Sequence, residues 1–302
     1  MNLRHRLRIN FIYIILRIAI VILYVLPIKA AVYLGGRIGV MLFYLLRKYR
    51  FLTIENLNIA FSGEKSSQEI FDIAKSVFEN LGKNAAEVAN LAKINKFNID
   101  RFVDAYGIEK IDHALGDKKG VIALCCHLGN WELQAAYFGI KGYPSNAIIR
   151  PLRDERFDRL INSLRRSKNI NVIPRSQSFR KILSVLKDNQ ILGILPDQDI
   201  DSVDGVFVDF FGRKAYTPTG PVVLAMASGS PIIPVYNVRQ PDGRHKLVVD
   251  DPVILEITGD REKDIVVNTQ KWSTRVEKYI RENPTQWVWM HKRWKTQKAH
   301  AE

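Results

Sequence analysis

The segment HLGNWE, residues 127 to 132, contains two side chains whose types suit acid–base chemistry. His127 follows the apolar run GVIALCC, and Glu132 comes five positions later, with a glycine and an asparagine between them. A helix rotates by about 100° per residue, so residues five apart do not share a face of one helix. The two side chains can work together only if the chain turns between them.

The residues around this pair predict such a turn. GVIALCC is typical of a buried strand and WELQAAYFGI of a helix, with LGN connecting them. Functional sites of parallel α/β sheets form where strands end and helices begin. There His127 would act as a general base on a hydroxyl, and Glu132 would fold back to hold one ring nitrogen and stabilise the imidazolium. A capping glutamate beside a structural histidine accounts for the same residues equally well.

The two cysteines beside His127 predict neither a metal site nor a disulfide. Cys125, Cys126 and His127 are consecutive, and consecutive strand residues point to alternate faces, so they do not easily converge on one ion. The sequence contains no HExxH and no paired CxxC pattern. Neighbouring cysteines rarely form a disulfide with each other. We therefore expect two small core residues and no metal or other cofactor.

Strand and helix patterns alternate beyond this segment. Strands are expected at SNAIIR, INVIP, QILGIL and SPIIPVYNV, and helices at DERFDRLINSLRRSK, SFRKILSVLKD, TPTGPVVLAMASG and residues 260 to 283. DIDSVDGVFVDFFGRKAY predicts a long loop or hairpin. Such alternation is typical of βαβ units, so the predicted fold class is α/β, with a central, mostly parallel sheet flanked by helices.

The N-terminal segment differs from the rest of the chain. Residues 9 to 46 are apolar for most of their length, and basic clusters lie on both sides of them. Residues 9 to 27 are just long enough to span a bilayer, although Arg17 is costly near its centre unless it snorkels or the helix lies at the interface. We expect a membrane-anchoring helical segment over residues 1–50 and a catalytic domain over residues 51–302; two buried core helices are the alternative to an anchor.

The charge of the chain indicates an anionic partner. Lys and Arg number 45 against 31 Asp and Glu, a formal net charge of +14. Nucleic acid, an acidic membrane surface, or phosphorylated or acidic-protein substrates would all suit that balance. WVWMHKRWK, residues 287 to 295, mixes aromatic and basic residues, but no other nucleic-acid motif accompanies it. We expect an anionic membrane and no nucleic acid as partner, with this segment either facing lipid or packing in the core.

HLGNWE resembles the H-x4-D/E signature of glycerolipid acyltransferases, in the form typical of bacterial lipid A biosynthesis acyltransferases, the late lauroyl and myristoyl transferases. The resemblance covers roughly residues 10 to 296 and includes segments in the family's order and spacing: LPDQD (195–199), GVFVDFFGRKAYTPTGP (205–221), PIIPV (231–235) and TQWVWMHKRWK (285–295). H-x4-D/E alone is weakly specific, whereas the whole set is strongly specific.

The resemblance implies a membrane-associated O-acyltransferase. A hydroxyl of a lipid A precursor would attack the thioester of an acyl carrier protein, with His127 as base and Glu132 as its partner, and without a metal or a covalent acyl-enzyme. It also implies the bacterial inner membrane, with the catalytic domain facing the cytoplasm. The basic surface would suit an acidic carrier protein and a phosphorylated lipid. Another glycolipid or lysophospholipid acceptor, such as a phosphatidylinositol mannoside, and an acyl-CoA donor are the alternatives.

Further candidate substrate-binding residues are Asn130, Arg150, Asp197, Asp199, Thr217 and Thr219. Arg150 ends a predicted strand and could hold a phosphate or an oxyanion, or lie on the surface. Asp197 and Asp199 follow another strand and would position substrate or support basic groups, or form a turn. Their D-x-D pattern also matches a metal-dependent glycosyltransferase, an enzyme of a different class. The threonines of TPTGP would bind substrate through their hydroxyls, or cap a helix.

Overall fold

The computed structural model describes residues 3 to 296, with side chains from residue 9 onward. The helices are α1 (Leu3–Val25), α2 (Ile28–Leu45), α3 (Arg47–Ala60), α4 (Ser67–Asn90), α5 (Glu109–Gly116), α6 (Trp131–Ile140), α7 (Glu155–Arg166), α8 (Phe179–Lys187), α9 (Gly220–Ser228) and α10 (Arg261–Glu282). The strands are β1 (Val103–Tyr106), β2 (Val121–Leu124), β3 (Ser145–Ile149), β4 (Ile170–Pro174), β5 (Ile191–Ile194), β6 (Gly205–Phe210), β7 (Arg213–Pro218), β8 (Ile232–Arg239) and β9 (His245–Val249). Short 3₁₀ turns lie at Leu91–Lys93 and Ile99–Arg101.

A seven-stranded sheet forms the centre, in the order β1-β9-β8-β2-β5-β3-β4. β2, β3, β4, β5 and β8 run parallel, and the antiparallel pairing of β8 with β9 reverses the direction of the β9–β1 edge. β6 and β7 form a separate antiparallel hairpin. The predicted α/β class and mostly parallel central sheet are therefore confirmed. The segment 199–216, expected as a long loop or hairpin, contains most of the β6–β7 hairpin.

The middle of the sheet is covered by apolar side chains on both faces. All four residues of β2 are buried, and successive strand residues point to opposite faces. Ile122 and Leu124 join the cluster that includes α3, α4, α9 and α10, while Val121 and Ala123 join the cluster that includes α5 and α6. A continuous apolar strand with no polar alternation is the pattern that a doubly covered parallel strand requires.

The N-terminal helices pack closely on α4. A Cβ atom added to Gly35 would lie 2.4 Å from the carbonyl oxygen of Gly82, and one added to Gly39 would lie 2.1 Å from that of Phe78. The backbones of α2 and α4 therefore touch along a seam that admits no side chain at these positions. Phe43 of α2 is fully buried, and it belongs to the same core cluster as β2.

One helix within residues 3 to 296, α2, is long and apolar enough to cross a membrane, with 18 residues and a mean hydropathy of 1.4. The apolar part of α1, Ile9–Val25, is shorter. The sequence instead predicts residues 9 to 27, which lie mostly in α1, as the stretch long enough to span a bilayer. Large apolar side chains are nevertheless exposed along α1, namely Phe11, Ile12, Ile14, Ile15, Leu16, Ile18, Val21, Ile22, Tyr24 and Val25.

Candidate active site

His127 and Asp197 meet at the carboxyl edge of the sheet. Leu124 of β2 and Ile194 of β5 are register partners, and each of the two polar residues lies three positions beyond its strand. The ring Nδ1 of His127 is 2.7 Å from Oδ1 of Asp197, and the backbone N–H of His127 donates to Oδ2 at 2.7 Å. One carboxylate thus fixes both the backbone and the ring of the histidine.

The carboxylate of Asp197 is buried and kept ionised. Its Oδ2 also accepts a hydrogen bond from the indole Nε1 of Trp287 at 2.8 Å. Burial by itself would raise the pKa of Asp197, but the charge and hydrogen bonds of His127, with the indole bond, outweigh it and hold that pKa at about 2. An ionised carboxylate at Nδ1 favours a proton on that nitrogen and stabilises the imidazolium when it forms.

The other ring nitrogen of His127 is the one available for chemistry. Among the described residues, Nε2 makes no hydrogen bond, and the side chain retains 23% of its accessible surface. The ring packs edge-on against Trp131, with 5.1 Å between ring centroids. With Nδ1 bonded to Asp197, Nε2 is the basic nitrogen and can accept a proton from a bound hydroxyl.

The carboxylate of Glu132 bonds to Arg165 and not to His127, contrary to the expectation that it would hold a ring nitrogen. It forms a two-pronged ion pair with Arg165 of α7, whose Nε and Nη2 donate at 3.0 and 2.5 Å. Glu132 is the second residue of α6, and α6 packs beside α7, so its side chain reaches the neighbouring helix instead of the strand end. The matched fork of a guanidinium and a carboxylate makes this a strong, orienting contact. In the structure, Asp197 holds the place expected for Glu132.

Asn130 forms the turn between His127 and α6. It is buried, and its Oδ1 accepts from the backbone N–H of Leu133 at 3.1 Å, which caps the helix. Its Nδ2 donates to the carboxylate of Glu87 at 2.7 Å. The sequence predicts Asn130 as a substrate-binding residue. In the structure both ends of its amide bond to protein groups, which are the contacts of a structural cap.

Asp199 and the two threonines are also committed to protein contacts. Both carboxylate oxygens of Asp199 accept from Thr296, from its backbone N–H at 2.8 Å and its hydroxyl at 2.7 Å. The hydroxyl of Thr217 accepts from Arg293 at 2.7 Å, and that of Thr219 donates to the carbonyl of Asp204 at 3.2 Å. All three sequence-predicted residues are buried, and their hydrogen bonds hold the loops around the site.

Arg150 is placed differently from the other predicted residues. It is exposed directly after β3, at the same edge of the sheet as His127. Among the side chains of residues 9 to 296 it has no hydrogen-bond or ion-pair partner, although its charge lowers the pKa of Asp201, behind the stronger effect of Lys295. A free guanidinium at this edge is able to bind an anionic group of a substrate.

The C-terminal segment lies beneath the site and not against lipid. Trp287, Trp289 and Trp294 are buried, which contradicts the expected lipid-facing patch and confirms core packing, its alternative. The backbone N–H of Val288 donates to the carbonyl of His127 at 3.1 Å. Asn56 of α3 in turn donates to the carbonyl of Trp289 at 2.7 Å. The segment, called the C-terminal strap below, therefore supports the backbone of His127 through a hydrogen bond.

A buried arginine completes this strap. Arg293 is 1% exposed, and its Nη1 donates to the carbonyl of Tyr216 at 2.6 Å. Its guanidinium lies 4.6 Å from the ring centre of Phe210. Burial lowers the pKa of Arg293 to about 10 despite the opposing charges of Asp197 and Asp199. It therefore remains charged at neutral pH and balances the buried carboxylates of the site.

The cysteines are buried core residues, as predicted. Burial raises the pKa of the Cys125 thiol to about 12 and raises that of Cys126 as well, so neither is a thiolate at neutral pH. Within the described part of the chain, no three His, Cys, Asp or Glu side chains are grouped as ligands of a metal ion.

Two residues important to the geometry were missed from the sequence as site residues. Arg165 lies within an arginine-rich helix, where nothing distinguishes it from its neighbours, and its partner comes from 33 residues away. Trp287 lies in a segment whose Trp and Lys/Arg content also suits a membrane interface. No local pattern singles out Trp287, because its bond to Asp197 joins residues 90 positions apart.

Comparisons with known proteins give one family. A model of that family, described as bacterial lipid A biosynthesis acyltransferase, matches residues 2–296. The lipid A biosynthesis lauroyltransferase of Escherichia coli K12 is 28% identical over 274 residues, 90% of this chain and 87% of its own. The palmitoleoyltransferase of the same organism is 25% identical over 90% of this chain and 87% of its own. A phosphatidylinositol mannoside acyltransferase of Mycobacterium tuberculosis H37Rv is 25% identical over 72% of this chain and 68% of its own.

Proposed function

Since the chain belongs to the bacterial lipid A biosynthesis acyltransferase family and is an acyltransferase, we propose that it moves a fatty acyl chain from a thioester to a hydroxyl of a lipid A precursor, with His127 as general base. The observation that carries this proposal is the hydrogen bond between His127 Nδ1 and Asp197. That bond leaves Nε2 as the basic nitrogen beside the free N-terminus of α6. Family membership also decides against the glycosyltransferase alternative.

The reaction needs one proton carrier. His127 Nε2 takes the proton of the acceptor hydroxyl as its oxygen attacks the thioester carbonyl carbon. The carbonyl electrons move onto its oxygen and return as the carbon–sulfur bond breaks. The imidazolium then gives its proton to the departing thiolate, so an ester and a thiol are formed and the histidine is restored. Asp197 stays ionised and stabilises the imidazolium between the two transfers.

The N-terminus of α6 is suited to the charge that develops on the carbonyl oxygen. Asn130 caps the N–H of Leu133, and the N–H of Gln134 bonds within the helix to the carbonyl of Asn130. Among the described residues, the N–H groups of Trp131 and Glu132 make no hydrogen bond. Unpaired N–H groups at a helix start, added to the helix dipole, favour negative charge there.

Charge and apolar surface guide the choice of partners and location. The net charge of +14 suits an acidic acyl carrier protein as donor and the phosphates of a lipid A precursor as acceptor. Arg150 is our candidate for contact with an anionic group of one of them. The exposed apolar residues of α1 and the apolar helix α2 support attachment to a membrane. From family membership we take this to be the bacterial inner membrane, with the catalytic domain facing the cytoplasm.

Acyl transfer from purified protein into a lipid A precursor, followed by mass spectrometry, tests this proposal. His127→Ala should lower kcat by about 10²–10⁴-fold, since general-base catalysis contributes about that much. His113→Ala is the matched control, because His113 is exposed on α5, and it should keep full activity. Near-normal turnover by His127→Ala would exclude the mechanism. Transfer only to a phosphatidylinositol mannoside, or only from acyl-CoA, would keep the chemistry and replace the proposed partners.

A further inference from the structure

A buried carboxylate that takes no part in the proton transfers lies beneath the catalytic turn. Glu87 of α4 is 7% exposed. Its Oε2 accepts from Asn130 Nδ2 at 2.7 Å and from Arg239 Nη2 at 2.8 Å. Its Oε1 accepts from Arg239 Nη1 and, at 2.9 Å, from Nε2 of His245. Residues of β8 and β9 thus converge on the carboxylate of Glu87, and that carboxylate holds the side-chain amide of Asn130.

The backbone of the same turn is held from the same elements. Asn84, one helical turn before Glu87, donates through Nδ2 to the carbonyl of Gly129 at 2.6 Å. Asn237 of β8 donates to the carbonyl of Asn130 at 3.0 Å. Gly129 has a φ of +58°, and an added Cβ would lie 1.7 Å from the carbonyl oxygen of Asn237. The turn therefore has one tightly enclosed conformation, and its residues directly follow His127.

We propose that Glu87 is a positioning residue for acyl transfer, which sets the amide of Asn130 and, through the turn, the place of the His127 ring and of the N-terminus of α6. An ionised carboxylate only accepts hydrogen bonds, so it forces Asn130 to present its NH₂ group. The carbonyl oxygen of that amide must then face α6, where it caps the N–H of Leu133. This role rests on the proposed function in taking His127 as the base.

Glu87 remains a carboxylate in its buried place. Burial alone would raise the pKa of Glu87, but the contacts and charges of His245 and Arg239 outweigh it and lower that pKa to about 2. All its neighbours are donors, so an amide at position 87 would turn its own NH₂ group toward one of them. Glu87→Gln therefore changes the pattern of donors and acceptors with almost no change of shape.

The first test separates kcat from KM. Glu87→Gln should lower kcat at least about tenfold and leave KM for the acyl thioester within about twofold of its original value. Displacement of the base weakens stabilisation of the transition state, whereas binding of the substrate in the ground state is unchanged. Glu79→Gln is the matched control on the same helix. Glu79 forms a surface pair with Lys83 at 2.7 Å, and its variant should keep full activity. A kcat of Glu87→Gln within twofold of the unmodified protein overturns the proposal.

The second test exchanges the hydrogen-bond donor and acceptor between positions 87 and 130. In the double variant Glu87→Gln with Asn130→Asp, the new amide NH₂ at position 87 can donate to the new carboxylate at position 130. That carboxylate still caps α6, while the amide oxygen at position 87 accepts from Nη1 of Arg239 and from His245. Nη2 of Arg239 loses its bond to position 87 and keeps its bond to Asn84. We expect the double variant to be at least about fivefold more active than either single variant. A folded double variant that is no more active than the single variants overturns the proposal, and this comparison holds even if Glu87→Gln alone folds poorly.

A spectroscopic readout distinguishes failure of this proposal from failure of the proposed function. The ¹⁵N imidazole signals of His127, assigned by their loss in His127→Ala, should shift in Glu87→Gln, while those of the exposed His113 should not. This measurement does not require turnover, so it reports on positioning even if the protein acts on another acceptor. Unchanged His127 signals in a folded Glu87→Gln variant would refute the positioning role.

Discussion

The carboxylates of Glu132 and Asp197 differ in their hydrogen-bond partners. Glu132 lies five positions away in sequence, yet it pairs with Arg165 on a neighbouring helix. Asp197 is 70 residues away, and it bonds to the imidazole and to the backbone of His127. A short motif thus fixes the path of the backbone, whereas the packing of strands decides which carboxylate serves the histidine. The acidic residue of the motif bonds to the neighbouring helix, and the acidic residue beyond the next strand bonds to the histidine that we propose as the base.

Of the variants that distinguish Asp197 from Glu132, Asp197→Asn should lower kcat the most. The amide keeps the shape but loses the charge, and it can present NH₂ to Nδ1 and favour the wrong tautomer. We expect kcat to fall on the order of 10³–10⁴-fold at every pH between about 5 and 9. Asp201→Asn, which alters an exposed partner of Lys295, is the control. A loss below about tenfold would show that Asp197 does not orient the base.

Glu132→Gln should cost less, about tenfold in kcat, because the ion pair with Arg165 acts on the placement of α6 and not on the imidazole. Exchange of the two residues, Glu132→Arg with Arg165→Glu, should recover part of that loss. The measurement is kcat of the purified single and exchanged variants. If Glu132→Gln is as inactive as Asp197→Asn and the exchange recovers nothing, Glu132 takes part in the chemistry and the contrast between the two carboxylates disappears.

Trp287→Phe should give the smallest effect, about threefold to tenfold in kcat. It removes one of the hydrogen bonds to Asp197 and keeps most of the aromatic packing on Trp289 and Phe210. Steady-state kinetics and a thermal melt of the same sample measure the two consequences separately. Full activity with a lowered melting temperature would mean that the indole supports the core alone.

The central sheet could be predicted because its strands carry their own signal. β2, β5 and β8 are apolar runs bounded by glycine, proline or polar residues, which is what burial on both faces requires. β1 was not predicted. It has four residues, is only partly buried and pairs with β9, about 140 residues later in the chain. Local composition carries little information about such an edge strand.

The site could be predicted in part. The position of His127 at a strand end followed from local patterns, and Asp197 was identified as a candidate for the same reason. Their direct bond was not predicted, because it depends on the register of β2 with β5. The burial of Asn130, Thr217 and Thr219 depends likewise on elements distant in sequence. Residue type and spacing show which groups are able to react, and tertiary packing decides which of them are satisfied by the protein.

The close contact between the glycines of α2 and α4 bears on how deep the site lies relative to a membrane. Along α4, Gly82 and Glu87 are five residues apart, about 7.5 Å at the rise of an α-helix. Because the backbones of α2 and α4 touch at Gly35 and Gly82, α4 and the catalytic turn that it supports hold a fixed place relative to α2. If α2 lies at the bilayer as we propose, the base is kept at the level of the lipid headgroups, where the hydroxyls of an embedded glycolipid are found. The enzyme would then select its acceptor partly by how far a hydroxyl lies from the membrane core.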